Sequence, residues 1–277
     1  MRWLRLRLDD GRPAWGRVEA EAGEPTPAGA VHLHAHGDIE ALLEGELPAL
    51  GQTLALADLL ASDRLLPPCE PRQIVGLWNN FRAAAAKNGW AEPAEPLWFL
   101  KSPASLTGHG QAIPAPRGYD GRVAYEGELA LVIGRRTEGV SEAEAAACIA
   151  GVTCANDVTA MELLNRDPSF AQWSRAKSFT GFCAVGPWFD TALDVSSASL
   201  RTTVAGRERQ NFPLADMFFS PARIVALVSQ NLTLLPGDLI LCGTSLGVLP
   251  MKPGSEVAIA IDGLGQLVNT FAPPPTA

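Results

Sequence analysis

An α+β fold rich in strand is what this 277-residue sequence predicts. Short apolar or alternating runs outnumber helix-like ones, the two kinds rarely alternate along the chain, and there is no internal repeat, which disfavours a doubly wound parallel sheet. A hydrophobic fraction of 47% and a charged fraction of 19% describe a folded chain with enough apolar side chain for a sizeable core.

Residues 3–8 alternate apolar and charged side chains as a half-buried strand does. Asp10-Gly11 is a turn pair, and residues 15–19 are the hairpin partner. Residues 22–37, rich in Gly, Pro and Ala, are read as loop with a short strand. Pro67, Pro68 and Pro71 mark a boundary between a small β-rich N-terminal module (1–68) and a main domain (69–277). Within the main domain, residues 72–77 read as a buried strand, the alanine-rich 83–87 as a helical turn, and 97–101 as a strand ending on Lys101.

The run Leu129, Leu131, Val132, Ile133 reads as another buried strand. Ser141 and Glu144 have capping-box spacing, which places a helix over 142–149. A short strand over 151–155 and helical spacing over 158–166 follow. Ser220-Pro221 pairs a cap with proline at the first helical position and opens a helix to about residue 231. Pro236-Gly237 turns into a strand over 238–244, and Asp262-Gly263 turns a terminal hairpin.

The net charge is −8 with no basic cluster, which argues against nucleic acid and anionic membrane surfaces as partners. The five cysteines, without CxxC spacing and mostly in apolar surroundings, fit free thiols in a reducing compartment. No segment has the apolar length of a membrane helix or a signal peptide, so a cytoplasmic location is expected. Cys183 has no evident histidine partner and is read as structural. The spacing of His32, His34 and His36 invites a zinc reading, but no companion ligand is evident apart from Asp38, and strand histidines at the surface are the simpler account.

Chemistry is concentrated between Val123 and Lys177. Glu126 and Glu128 are two apart at the edge of an apolar run, so on a strand they share a face. Two like charges beside an apolar run require a cation, and Asp157 and Lys177 are the candidates to complete the site. Glu126, Glu128 and Asp157 are all-oxygen ligands suited to Mg²⁺, Mn²⁺ or Ca²⁺ over zinc. The spacing equally permits a wet edge strand, with Asp157 capping the next helix.

From about Leu65 to Phe271 the chain resembles the fumarylacetoacetate hydrolase family. The segments that carry the resemblance are EPLWFLKSPASLTGHGQAIPAP, YEGELALVIGR, GVTCANDVTA, WSRAKSFTGFCAVGPW, LLPGDLILCGTSLGV and PGSEVAIAIDGLGQLVN, in family order. The resemblance implies a mixed β-sandwich roll in a catalytic domain over 69–277, a homodimer, and Mg²⁺ or Mn²⁺ on Glu126, Glu128 and Asp157. It also implies Lys177 as the active-site lysine, with Lys101 and Thr244 near the substrate. Ser245 stands where the family has a proline.

Two departures shape the functional expectation. Hydrolytic members carry a histidine and a glutamate on a lid, and here those positions are Ala84 and Lys87. A methyl group accepts no proton and an ammonium is a poor base at neutral pH, so water activation by that dyad is not expected. Met161 replaces an arginine that grips substrate carboxylate in some members, and Arg82 or Arg175 is the expected compensation. The remaining metal, lysines and threonine suit chelation of a 2-oxo or 2-hydroxy-enoate acid and stabilisation of its enolate, as in the decarboxylases and isomerases of aromatic-compound breakdown. The alternatives are a C–C hydrolase of the acylpyruvate or fumarylacetoacetate type that draws a base from elsewhere, with His109 the candidate, and a silent metalloprotein that binds keto acids.

Overall fold

The computed structural model describes residues 1–19 and 29–273. The expected loop over 22–37 therefore lies partly outside the described residues. One 12-stranded sheet runs, in spatial order, Ala49–Ala55, Ala30–His34, Pro13–Val18, Arg2–Arg7, Cys183–Asp190, Ile149–Asp157, Gly127–Ile133, Leu239–Leu241, Ile74–Trp78 and Leu97–Lys101. Leu65–Leu66 and Leu106–Thr107 pair onto Arg2–Arg7 and Cys183–Asp190. A five-stranded sheet orders Arg207–Pro213, Ser199–Val204, Glu256–Ile261, Gly265–Phe271 and Ala112–Ile113. The two sheets pack face to face as a β-rich sandwich with helices at the periphery, the fold class expected.

Gly127–Ile133 shows why its sequence is nearly continuous in apolar residues. It is paired on both edges and buried on both faces. Leu129, Leu131 and Ile133 join the core shared with the five-stranded sheet, through Leu200, Ile259 and Leu267. Ala130 and Val132 face the opposite core with Ala155, Val185 and Leu241. At Gly127 a Cβ would stand 2.2 Å from Thr202 Oγ1, so only glycine lets this strand cross so close to the second sheet.

The capping box is present: Ser141 accepts from the Glu144 N–H while Glu144 accepts from Ser141. The helix is nevertheless confined to Glu142–Ala145, followed by a 3₁₀ turn over Ala146–Cys148. Ladder hydrogen bonds to Gly127–Ile133 and Cys183–Asp190 claim the following residues, so Ile149–Asp157 is longer than the strand predicted from the sequence. The helix predicted over 158–166 is likewise reduced to Met161–Leu164, because Thr159–Ala160 pairs with Val123–Ala124. Pro221–Val228, capped by Ser220, and the terminal hairpin of Glu256–Ile261 with Gly265–Phe271 follow the sequence reading closely.

Candidate functional site

Two antiparallel strands bring the carboxylates together. Gly127 is in register with Asn156, so the start of one strand lies beside the end of the other. By strand alternation Glu128 and Asp157 point to the side of Ala130 and Ala155. Glu126 stands just before the strand, held by its N–H to Asn156 Oδ1 at 3.0 Å and by its carbonyl, which accepts from the Asp157 N–H at 2.9 Å. One carboxylate oxygen from each of Glu126, Glu128 and Asp157 lies within 4.8 Å of the other two. Among the described residues this is the one such gathering of three or more His, Cys, Asp or Glu side chains.

Two ammonium groups meet this cluster from different elements. Lys101, at the end of Leu97–Lys101, donates to Asp157 Oδ1 at 2.5 Å and to the Phe182 carbonyl at 3.0 Å. Lys177, at the end of Trp173–Lys177, donates to Asp157 Oδ2 at 2.7 Å, Glu126 Oε1 at 3.0 Å and Thr159 Oγ1 at 2.7 Å. Thr159 itself donates to Glu126 Oε1 at 2.6 Å. Three carboxylates thus face two ammonium groups in a buried place.

Burial alone would raise the pKa of Asp157, but Lys101 and Lys177 override it and hold that carboxyl below its ordinary range. Burial also opposes charge on Lys177, and Asp157, Glu126 and Glu128 together keep its pKa above that of an ordinary lysine. Glu128 is the residue left over. Burial first, then repulsion from Asp157 and Glu126, pushes its carboxyl well above the usual value. Its Oε2 accepts from the Gly243 N–H at 2.6 Å, whereas its Oε1 is buried with no partner among the described residues. An orphaned carboxylate oxygen, an all-oxygen donor set and an excess of carboxylates over ammonium groups fit a hard divalent cation.

The cluster opens onto a cavity of about 780 Å³. Glu126, Lys177, Thr159 and Thr244 line its floor, and Leu77, Trp78, Ala84, Lys87, Trp90, Met161 and Trp173 are among the residues of its walls. The walls are strongly aromatic: Trp78 lies 4.8 Å from Trp90 and 5.9 Å from Trp173, which stacks on Phe99 at 5.3 Å between ring centroids. Asn79 Oδ1 and Ser245 Oγ are buried on this lining without partners among the described residues.

Thr244 lines the cavity, donating to the Gly127 carbonyl at 2.8 Å and accepting from Gln210 Nε2 at 2.9 Å. Three placements differ from the sequence reading. Lys101 was expected beside the substrate, but its side chain is fully buried beneath the floor, because its strand ends pointing inward at Asp157. Arg82 turns away to the carbonyls of Asp216 and Met217 and lies over Phe218, so it does not line the cavity. Arg175 lines a separate, smaller cavity with Arg117 and Phe179.

His109 accepts from the Val268 N–H at 3.2 Å and is absent from the cavity lining. Burial pushes the Cys183 thiol up to about 12, as befits a packed, unreactive cysteine. His32 meets Glu19 and Thr53, while His34 meets the Leu47 carbonyl. Sequence reasoning missed Thr159, whose signal was its position two residues beyond Asp157 on extended backbone. Gln210 and the Gly243 N–H come from distant segments and left no local sign.

A family model described as "Fumarylacetoacetate (FAA) hydrolase C-terminal" matches residues 73–272. Protein Rv2993c of Mycobacterium tuberculosis is 37% identical over 272 residues, 97% of each chain. The 4-hydroxyphenylacetate degradation bifunctional isomerase/decarboxylase of Salmonella dublin is 34% identical over 249 residues, spanning 88% of this chain and 57% of that enzyme. A 2-hydroxyhepta-2,4-diene-1,7-dioate isomerase from Mycobacterium marinum has a similar structure, with a TM-score of 0.84 and 36% identity over 98% of both chains.

Proposed function

The chain belongs to the fumarylacetoacetate hydrolase family, and on that premise we propose that it is a divalent-metal-dependent decarboxylase or enol–keto isomerase. Its substrates are 2-oxo or 2-hydroxy-enoate di- or tricarboxylic acids of aromatic-compound catabolism, with Mg²⁺ or Mn²⁺ as the cofactor and a cytoplasmic homodimer as the working form. The observation that carries this reading is the pairing of the carboxylate–lysine cluster with the cavity above it. Among the described residues that cavity has Glu126 as its one carboxylate and no histidine in its lining. Ala84 contributes a methyl group there, so nothing at that position activates water.

Glu126, Glu128 and Asp157 would hold the ion, which when bound supplies concentrated positive charge to the oxygens of a chelating 2-oxo acid. Lys177, whose Nζ donates to Glu126, Asp157 and Thr159, is the cation that faces the negative charge an enolate develops. Thr159 and Lys177 together fix Glu126, and Lys101 fixes Asp157 from below. The aromatic walls exclude water and favour a planar, conjugated substrate. Decarboxylation breaks the bond to the leaving carboxylate and moves its electron pair into the enolate. Enol–keto isomerisation gives up the proton of the enol hydroxyl to solvent, passes through the same enolate, and takes a proton from solvent on carbon. Neither uses a water nucleophile.

The test is spectroscopic. Purified protein with Mg²⁺ should deplete oxaloacetate or interconvert a 2-hydroxy-dienoate diacid, EDTA should abolish this, and Asp157→Ala should lower it by at least about 10²-fold. Metal-dependent hydrolysis of an acylpyruvate, lost in Asp157→Ala, would replace this reading with the hydrolase.

A further inference from the structure

Three charged side chains line the main cavity among the described residues: Glu126, Lys177 and Lys87. Glu126 and Lys177 are committed to each other and to Asp157 and Thr159. Lys87 is not. It sits in the last turn of Arg82–Asn88, lines the same cavity, and forms no ion pair among the described residues. Met161 lies on the same lining, while Arg82 and Arg175 are turned elsewhere. A substrate that extends from the carboxylate floor past the tryptophans therefore meets one available positive charge, and that charge is Lys87.

A second observation concerns the intervening surface. Asn79 and Ser245, which line the cavity, are 8% and 4% exposed, and Asn79 Oδ1 and Ser245 Oγ are buried without partners among the described residues. Asn79 Nδ2 is already given to the Ala91 carbonyl at 3.0 Å, so its Oδ1 is an acceptor awaiting a donor. Buried polar atoms without partners are expensive unless a ligand satisfies them. Their two loops adjoin, since Asn80 Nδ2 donates to the Cys242 carbonyl at 2.8 Å. The lining thus combines charged, polar and aromatic side chains, with Lys87 the charged one left unpaired.

We propose that Lys87 is the specificity-determining residue that receives a second, distal carboxylate of the substrate. The proposal rests on the 2-oxo acid reading above and adds to it the residue that receives the second carboxylate. A lysine in a helix's last turn also favours the helix dipole. That role would affect stability alone, so ligand discrimination is the readout that separates the two.

The experiment compares two six-carbon probes, 2-oxoadipate and 2-oxohexanoate, binding to the Mg²⁺-loaded protein, followed by quenching of tryptophan fluorescence and by calorimetry. The wild type should bind the diacid about five-fold or more tighter, near the upper end of what a solvent-exposed ion pair supplies. Lys87→Ala should bring the ratio to about one, Lys87→Arg should preserve it, and Lys87→Glu should invert it. An unchanged ratio in Lys87→Ala, or equal binding of both acids by the wild type, overturns the proposal while leaving the 2-oxo acid reading in place. Failure of both acids to bind overturns that reading and this one with it.

Discussion

On one side of the cavity Asp157 and Lys177 are 1% and 2% exposed, and their charged groups meet one another, Lys101, Glu126 and Thr159. On the other side Lys87 stands in solvent, Trp90 is 40% exposed, and Asn79 Oδ1 and Ser245 Oγ have no partner among the described residues. On the floor the charges of Lys101, Lys177, Asp157 and Glu126 are set against each other before any ligand arrives, while Glu128 Oε1 is left without a partner among the described residues. The wall is unfinished, and a ligand completes it. A rigid, pre-formed electrostatic floor suits chemistry that must stabilise developing negative charge. An incomplete wall suits selection, because groups that lack partners without the right ligand discriminate against the wrong one.

If the floor is held by its charge pairs, Asp157→Ala should be the most damaging single change in the molecule. It leaves Lys101 and Lys177 buried, and Lys101 then retains only the Phe182 carbonyl. Breaking a buried pair by removing one partner typically destabilises by about 3–5 kcal/mol, and that loss should appear as a lower urea midpoint. Adding Lys101→Met to Asp157→Ala should recover part of it, since the stranded ammonium is then gone. No change in midpoint for Asp157→Ala would erase the distinction between floor and wall.

The next largest effect belongs to the ion. At a hundred-fold excess over its dissociation constant, a ligand that binds only the folded state stabilises it by about 2.7 kcal/mol, or about 5–10 °C in Tm for a chain of this size. Mg²⁺ or Mn²⁺ should raise the Tm of the wild type by that order. Glu128→Gln keeps the shape of the side chain but removes the orphaned carboxylate oxygen, so it should abolish the rise. A full metal-dependent shift in Glu128→Gln would remove Glu128 from the ligand set.

The same division governs what could be read from sequence. The floor was legible because carboxylates beside a buried apolar strand are rare and need a cation, and because residues two apart on a strand share a face. Those terms raised Glu126 and Glu128, with Asp157 and Lys177 as candidates, but left a wet edge strand open, and the family resemblance is what assigned the four their roles. The wall was not legible, because the direction of a long side chain is set by partners far away in sequence. Arg82 is drawn to the carbonyls of Asp216 and Met217, and Lys101 ends inside, not at the rim. Lys87 was noticed only as a position lacking a base, and the cavity gives it a different meaning. Local pattern also yielded to tertiary pairing at Thr159–Ala160, where a strand partner overrode helical spacing.

The smallest effect lies on the outer side of the wall. Glu162 is on the short helix Met161–Leu164, which supplies Met161 and Leu164 to the cavity. Hydrogen bonds first from the Tyr119 hydroxyl and then from the Arg122 guanidinium, whose Nε lies 2.5 Å from Glu162 Oε1, pull its carboxyl down to about 2 from an ordinary 4.5. Between those values the unfolded chain binds more protons at this position than the folded one, so stability rises with pH there. The contribution is fully present above pH 4.5 and is lost as pH falls toward about 2. Because the pair is largely open to solvent, it is worth less than about 1 kcal/mol. Glu162→Gln should therefore lower the urea midpoint slightly at pH 7, and the gap from the wild type should close as the pH is taken from about 5 to about 2.5. High salt should shrink it as well, since exposed charges are screened. A gap that persists unchanged in acid would mean that packing, not charge, ties this helix to the cavity, and the wall would then be built by the same means as the floor.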